Sequence, residues 1–356
     1  MSGTSLDGVD CALADLSGRP TLVATRFIPY APEFRAELIE LSERGHDELE
    51  RAGRAAVELS VRYAAAVNEL LAEAGIKSTG IAAIGCHGQT VRHRPELGFT
   101  IQLVNPALLA ERTGISVVAD FRSRDIAAGG QGAPLVPAFH AACFRDVSRH
   151  RVVVNIGGIA NLTDLPTPGK GPVLGFDTGP GNMLLDLGAD RHLGTACDRG
   201  GALAASGGVI PDLLARMLAD GYFDSPPPKS TGRERFSARW LAASGVDRYP
   251  AADLQATLAE LTANTISAAI ERWCTGAEEV FACGGGVHNT DLMRRLQAGL
   301  GARRLSTTDL LGVPADWVEA MAFAWLARQT LQNAPGNLPQ VTGAAGLRVL
   351  GAIYHS

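Results

Sequence analysis

Two hydrophobic rhythms run along the 356 residues. Short β-branched runs at 9–16, 82–86, 100–104, 116–119, 152–156 and 280–283 predict strands. Four of them stop at Asp120, Gly157, Gly284 or His87-Gly88, where backbone must turn or approach a ligand. Between the runs the period becomes helical. The Ala-, Leu-, Glu- and Arg-rich stretch 33–74 predicts one or two amphipathic helices, and 106–113 opens on Pro106 and stops at Gly114. Segments 251–273, 291–300 and 316–333 read as further helices. Strands separated by helices predict an α/β protein with a largely parallel or mixed sheet in each half.

This length exceeds what one core usually supports, so two domains are expected. A polar stretch at 146–151 precedes a fresh strand and sets the boundary, giving an N-terminal α/β domain at 1–148 and a C-terminal one at 149–356. The run Ser225-Pro226-Pro227-Pro228-Lys229-Ser230-Thr231-Gly232 reads as a rigid surface loop of the second domain.

Composition narrows the class. Hydrophobic residues at 46% and charged residues at 19% are a soluble globular mix. Lys+Arg 32 against Asp+Glu 37 leaves a net charge of −5, which argues against nucleic acid or an anionic membrane as the main partner. No run approaches the roughly 18 apolar residues of a membrane span, and no basic-then-apolar leader opens the chain. A cytoplasmic protein is expected. Cys11, Cys86, Cys143, Cys197, Cys274 and Cys283 lack zinc spacing and read as reduced, structural thiols.

The 41 glycines are clustered, and three clusters could carry chemistry. In Gly3-Thr4-Ser5-Leu6-Asp7-Gly8-Val9-Asp10, hydroxyls, glycines and carboxylates lead into an apolar strand. Such a turn offers donors to phosphate oxygens, and Asp7 can hold Mg²⁺ directly or through water. A hairpin turn built of Asp and Gly explains the same composition. Gly175-Phe176-Asp177-Thr178-Gly179-Pro180-Gly181-Asn182 surrounds one ionisable side chain with stiff backbone, as general-base work requires. An Asx-turn in a surface loop is the plainer reading. Asn155-Ile156-Gly157-Gly158-Ile159-Ala160-Asn161 adds small and amide residues beside it. Gly284, Gly285 and Gly286 link a strand to a helix, which suits flat passage along a nucleoside.

His87 and the polar run 120–125, where Arg122 or Arg124 could clamp a carboxylate or phosphate, follow strand ends where α/β folds bind ligands. A structural histidine and a solvated salt-bridged loop are the alternatives. No G-x-S-x-G, no early G-x-G-x-x-G and no His/Cys cage occurs. The residues alone suggest a two-domain α/β protein that binds a nucleotide phosphate tail between its halves, with one well-placed carboxylate.

In sequence, Met1-Ser2-Gly3-Thr4-Ser5-Leu6-Asp7-Gly8, Cys86-His87-Gly88-Gln89-Thr90, Asn105-Pro106-Ala107-Leu108 and Val118-Ala119-Asp120-Phe121-Arg122 resemble the anhydro-N-acetylmuramic acid kinase family. So do Ala127-Ala128-Gly129-Gly130-Gln131-Gly132, Asn155-Ile156-Gly157-Gly158, Gly175-Phe176-Asp177-Thr178-Gly179, Cys283-Gly284-Gly285-Gly286 and Asp316-Trp317-Val318-Glu319. The motifs run in family order to about residue 326. The resemblance implies the duplicated ribonuclease-H-like fold of the sugar kinase, Hsp70 and actin superfamily, with ATP and Mg²⁺ in an interdomain cleft that closes on ligand.

It further implies that residues 3–10 and 175–182 are phosphate loops, with Gly179, Gly181 and Asn182 in the second. Gly284, Gly285 and Gly286 become the adenosine loop, and Asp177 the catalytic base. His87, Asn105, Pro106, Arg122 and Glu319 are carried over as sugar contacts. The implied reaction opens the 1,6-anhydro ring of 1,6-anhydro-N-acetylmuramic acid and phosphorylates O6, in peptidoglycan recycling. A homodimer is implied by resemblance alone. A related kinase for another sugar, or a nucleotide-dependent regulatory protein without turnover, are the alternatives. The family has a strand ahead of Met-Ser-Gly-Thr, so the first domain is expected to lack its first strand.

Overall fold

Gly8–Asp15 (β1) and Thr21–Pro29 (β2) pair antiparallel at the start of the chain in the computed structural model. The structure describes every residue except Thr4, Ser5, Arg233 and Glu234. The stretch expected to hold one or two helices holds two, Pro32–Leu41 and Glu48–Ala74. They part at Asp47, whose φ of 54° lies in the left-handed region, and the second stops at Gly75 with φ 67°. Short strands follow: β3 (Ile84–Gly85), β4 (Gln89–Arg94), β5 (Phe99–Leu103) and β6 (Val117–Ala119). β4 and β5 form their own hairpin, while β3 runs parallel to β6. Leu38, Leu59, Tyr63, Leu109 and Val117 bury this region's core, each such side chain contributing about 1.5–3 kcal/mol. An apolar cavity of about 450 Å³ lies between β1 and β3, lined by Val9, Leu13, Ile84 and Cys86 among others.

A second sheet is built from β7 (Arg151–Ile156), β8 (Ile159–Leu165), β9 (Leu174–Pro180), β10 (Glu279–Cys283) and β11 (Arg304–Thr307). Its order is β11-β10-β7-β8-β9. β9, β8 and β7 form an antiparallel meander, and β10 and β11 continue parallel to β7. That is a mixed sheet of ribonuclease-H-like order. Helix Ala251–Trp273 buries Leu254, Leu258, Leu261, Ile266 and Ile270 in this unit's core with Val152, Val154 and Ile156.

The chain then returns. Helix Val318–Leu331 packs on β1, β3 and β6, and β12 (Ala352–Tyr354) pairs antiparallel with β6. Two compact units result, Met1–Cys143 with Trp317–Ser356, and Phe144–Asp316. The first break falls between Cys143 and Phe144. The expectation that all of 149–356 forms one domain fails for the last segment, because its helix and strand complete the first unit's layers. The six cysteines are free thiols, and Cys86, Cys274 and Cys283 are buried. Among the described residues no helix is long and apolar enough to cross a membrane.

Candidate active site

In the second unit Asp177 stands on a strand, not in the turn its glycines suggest. β9 pairs with β8 across Asn161↔Asp177 and Leu162↔Phe176, with a register shift at Ala160/Asn161 that absorbs the awkward geometry. Tertiary pairing overrides the weak strand preference of Gly175, Gly179 and Pro180 here. The residue is partly buried and held from three directions, its carboxylate by one of them. Its own N–H donates to Lys229 O at 3.1 Å, Thr231 N–H donates to Oδ2 at 2.9 Å, and Tyr222 OH donates to Asp177 O at 2.8 Å. Desolvation pushes its pKa up to about 6, against the Thr231 N–H and the Lys229 charge, which pull it down. Near neutral pH it is therefore ionised yet basic enough to accept a proton.

Three glycine segments meet at the end of the sheet where Asp177 stands. Gly181, Asn182 and Met183 donate their N–H groups to Gly158 O (2.9 Å), Gly157 O (2.8 Å) and Gly158 O (3.1 Å). A Cβ on Gly181 would strike Gly157 O, and one on Gly284 or Gly286 would strike Asn155 Oδ1 or Ile156. Asn182 Nδ2 donates to Ile156 O at 3.1 Å and lies 3.9 Å from where a Gly285 Cβ would stand. Residues 181–183, the β7–β8 turn and residues 284–286 are thus neighbours at one end of this sheet. The backbone N–H groups of Gly181 and Asn182 are engaged within the protein. His288 Nε2 pairs with Asp316 at 2.8 and 2.9 Å and anchors the segment after Gly286.

In the first unit the N-terminal segment is only partly loop. Thr4 and Ser5 lie outside the described residues. Gly3 O accepts from Leu6 N–H at 3.3 Å, and Leu6 has φ 55°. Arg35 Nε donates to Leu6 O at 2.9 Å. Gly8, Val9 and Asp10 belong to β1, with Val9 buried in the core, so of these three candidates the Val9 side chain serves packing. Asp7 is exposed.

His87 and Arg122 come together. Arg122 donates from Nε and Nη2 to His87 Nε2 and from Nη1 to Gly132 O at 2.7 Å. Burial pulls Arg122 down to about 10, with the charges of Glu319 and Asp125 opposing. It remains a cation at neutral pH. Glu319 sits in the first turn of Val318–Leu331, and the Phe323 ring on the same helix lies tilted against His87, 4.6 Å between centroids. Asn105 takes a local role. It caps helix Pro106–Thr113, its Oδ1 accepting from Leu108 N–H at 3.0 Å, while Pro106 fills the first turn.

Sequence reasoning missed two supports. Asp125 is fully buried and accepts from Gly132 N–H, Asn337 Nδ2 and Thr342 Oγ1, each at 2.8 Å, which holds the N–H of the residue whose carbonyl Arg122 touches. The Asp run at 120–125 was its only signal. Lys229 and Thr231 lie in the stretch 225–232 that reads as surface loop, and Tyr222 just ahead of it carries no sequence signal.

A family model described as anhydro-N-acetylmuramic acid kinase matches residues 1–356. The anhydro-N-acetylmuramic acid kinase of Nitrosomonas europaea is 54% identical over 357 residues, covering 99% of this chain and 98% of that relative. Those of Nitrosospira multiformis and Pseudomonas paraeruginosa are 54% and 51% identical, each covering 99% of this chain and 97% of the relative. The chain belongs to the anhydro-N-acetylmuramic acid kinase family.

Proposed function

We propose that this chain is an ATP-dependent kinase of peptidoglycan recycling. It opens the anhydro ring of 1,6-anhydro-N-acetylmuramic acid and phosphorylates O6, giving N-acetylmuramate 6-phosphate and ADP. The observation that carries this reading is Asp177: one carboxylate, raised to about 6 and held by a main-chain N–H, at the sheet end where three glycine segments converge.

Asp177 takes a proton from water, whose oxygen bonds to C1. The C1–O6 bond breaks with its electron pair to O6. O6 bonds to the γ-phosphorus as the bond to ADP breaks, and the proton passes from Asp177 to solvent. Phosphoryl transfer asks the protein chiefly for positioning. Arg122 offers a planar fork to an anionic group of the sugar, with His87, Asn105, Pro106 and Glu319 as its companions in sugar binding. In this reading Gly3, Thr4, Ser5, Leu6, Asp7, Gly8, Val9 and Asp10 belong to the first phosphate loop and Gly179, Gly181 and Asn182 to the second, while Gly284, Gly285 and Gly286 belong to the adenosine loop.

Among the described residues no three His, Cys, Asp or Glu side chains converge on a metal cage. The exposed Asp7 fits the mode in which Mg²⁺ takes one carboxylate and completes its shell with water and phosphate oxygens. The ion, when bound, neutralises phosphate charge. A cytoplasmic homodimer belongs to the same proposal, on the family resemblance.

The test is incubation with Mg-ATP and the anhydro sugar in ¹⁸O-water. One ADP per sugar phosphate is expected, with label on the C1 hydroxyl and none on O6 or phosphate. Product from ordinary N-acetylmuramate only, or label in phosphate, would overturn the reading.

A further inference from the structure

The Pro-rich segment around Lys229 runs along the strand that carries Asp177. Its contacts are unlike those of a solvated loop. Lys229 O accepts the Asp177 N–H, and two residues later the Thr231 N–H reaches the Asp177 carboxylate. The same lysine closes the segment on its other side. Nζ donates to Tyr222 O at 3.0 Å and to Phe223 O at 3.1 Å, and lies 4.7 Å above the Tyr222 ring. Tyr222 in turn donates its OH to Asp177 O.

The turn that Lys229 grips is firm. Tyr222 is buried, and Asp220 accepts from Tyr222 N–H at 3.0 Å, from Arg235 Nη2 at 2.5 Å and from Trp240 Nε1 at 3.1 Å. Phe223 stacks on Phe236 at 5.5 Å and fills the space beside Gly179. One ammonium therefore ties a rigid turn to a segment that contributes a carbonyl and an N–H to the candidate base. Charge-assisted hydrogen bonds of this kind are the strong ones, and main-chain donors hold geometry better than long side chains do.

We propose that Lys229 is a positioning residue for Asp177, acting as a staple that keeps the Thr231 N–H on the carboxylate. The proposal rests on the reading of Asp177 as the base. Lys229 faces Asp177, Asp224 and Arg272, with the Arg235 guanidinium 5.2 Å from the Tyr222 ring it shares. Asp224 is itself paired with Arg272 at 2.8 Å. Asp177 faces Lys229, the Thr231 N–H and the Tyr222 hydroxyl. The Lys229 cation and the Thr231 N–H both favour the ionised carboxylate, so loosening the staple raises the proton affinity of Asp177.

The test uses full-length enzyme carrying Lys229→Met, which keeps the apolar stem and removes the charge. Folding is checked by circular dichroism. The acid limb of the kcat/KM profile is expected to move up by about half a pH unit or more. The same variant is expected to lose about tenfold in kcat, with KM for ATP held within about twofold. Lys229→Arg is expected to restore part of the limb. Lys229→Gln, which keeps a donor without charge, replaces the methionine variant if that does not fold. A wild-type limb and kcat in the charge-free variant, with Asp177→Asn inactive, overturns the staple. Activity in Asp177→Asn overturns instead the base reading beneath it.

Discussion

Arg122 directs two donors, Nε at 3.1 Å and Nη2 at 2.9 Å, onto the single acceptor Nε2 of His87. His87 Nδ1 lies 2.7 Å from Gly88 O, so it carries the ring proton and donates there. Burial and the Arg122 charge hold the His87 pKa well below its ordinary value. A buried, neutral imidazole with both nitrogens engaged is a rest for the guanidinium, not an acid or base. Asp125 completes the frame by holding the N–H of Gly132, the residue whose carbonyl Arg122 Nη1 touches.

From this follows a separation of binding from proton transfer. Arg122→Lys keeps the charge but loses the planar fork, and should raise KM for the sugar about 10- to 100-fold. KM for ATP and the acid limb of the pH profile should stay at wild-type values. Steady-state kinetics with each substrate varied in turn check this, and an unchanged sugar KM would remove Arg122 from the sugar site.

Asp177 should behave differently. Replacing it with Asn removes the proton acceptor and should lower kcat by about 10²–10⁴-fold, with ATP affinity by calorimetry within about twofold. In the proposed mechanism only the ionised carboxylate of the wild type works. Activity should therefore fall tenfold per pH unit as pH drops below about 6, the value to which burial raises this group. A rate that is flat down to pH 5 would place the essential base elsewhere.

How much of this was legible in the chain differs by element. Helices Pro106–Thr113 and Ala251–Trp273 were readable to their ends, because Pro106 and Gly114 punctuate the first and apolar positions recur steadily in the second. β9 was not, since Gly175, Gly179 and Pro180 argue against a strand and only pairing with β8 makes one. β2 and β8 are partners of strands that were foreseen, and hairpin pairing is not a local signal. The grip of Thr231 on Asp177 spans 54 residues of chain. The return of Trp317–Ser356 to the first unit depends on β12, three exposed residues whose partner β6 lies more than two hundred positions earlier. Asp177 itself was picked out, because a lone carboxylate among glycines is a composition signal that survives ignorance of the fold.

The close approach of the glycine segments predicts a steric effect that needs no special backbone angle. A methyl on Gly181 would run into Gly157 O, with Ala160 N 3.1 Å and Ile159 C 3.2 Å away. Gly181→Ala should destabilise by about 1–3 kcal/mol, the usual cost of overpacking. At Gly221 a Cβ meets nothing within 4 Å, so Gly221→Ala should leave stability unchanged within about 0.5 kcal/mol. Urea unfolding of both variants checks the contrast. Equal midpoints would mean that the β7–β8 turn does not press on Gly181 in solution.

The raised pKa of Asp177 also has a consequence for stability, opposite in sign to its consequence for rate. Its ordinary value is 3.8 and its folded value about 6, so between these the native state binds the proton more tightly than the unfolded chain. Stability therefore falls as pH rises through that window, and above about pH 6 the whole cost of holding an ionised, partly buried carboxylate is present. A shift of this size corresponds to at most about 3 kcal/mol. Asn has no charge to desolvate and its amide oxygen can still accept from Thr231 N–H. Asp177→Asn should thus melt several degrees above the wild type at pH 8, by about 2–4 °C per kcal/mol for a unit of this size. The difference should shrink steadily as the buffer is taken from pH 6 toward pH 4, where the wild-type carboxyl is protonated when folded. Calorimetry of the two proteins across that range decides it. A variant that is less stable at pH 8, or a gap that does not change with pH, would mean the carboxylate sits in a far wetter setting than its burial and the Thr231 N–H describe.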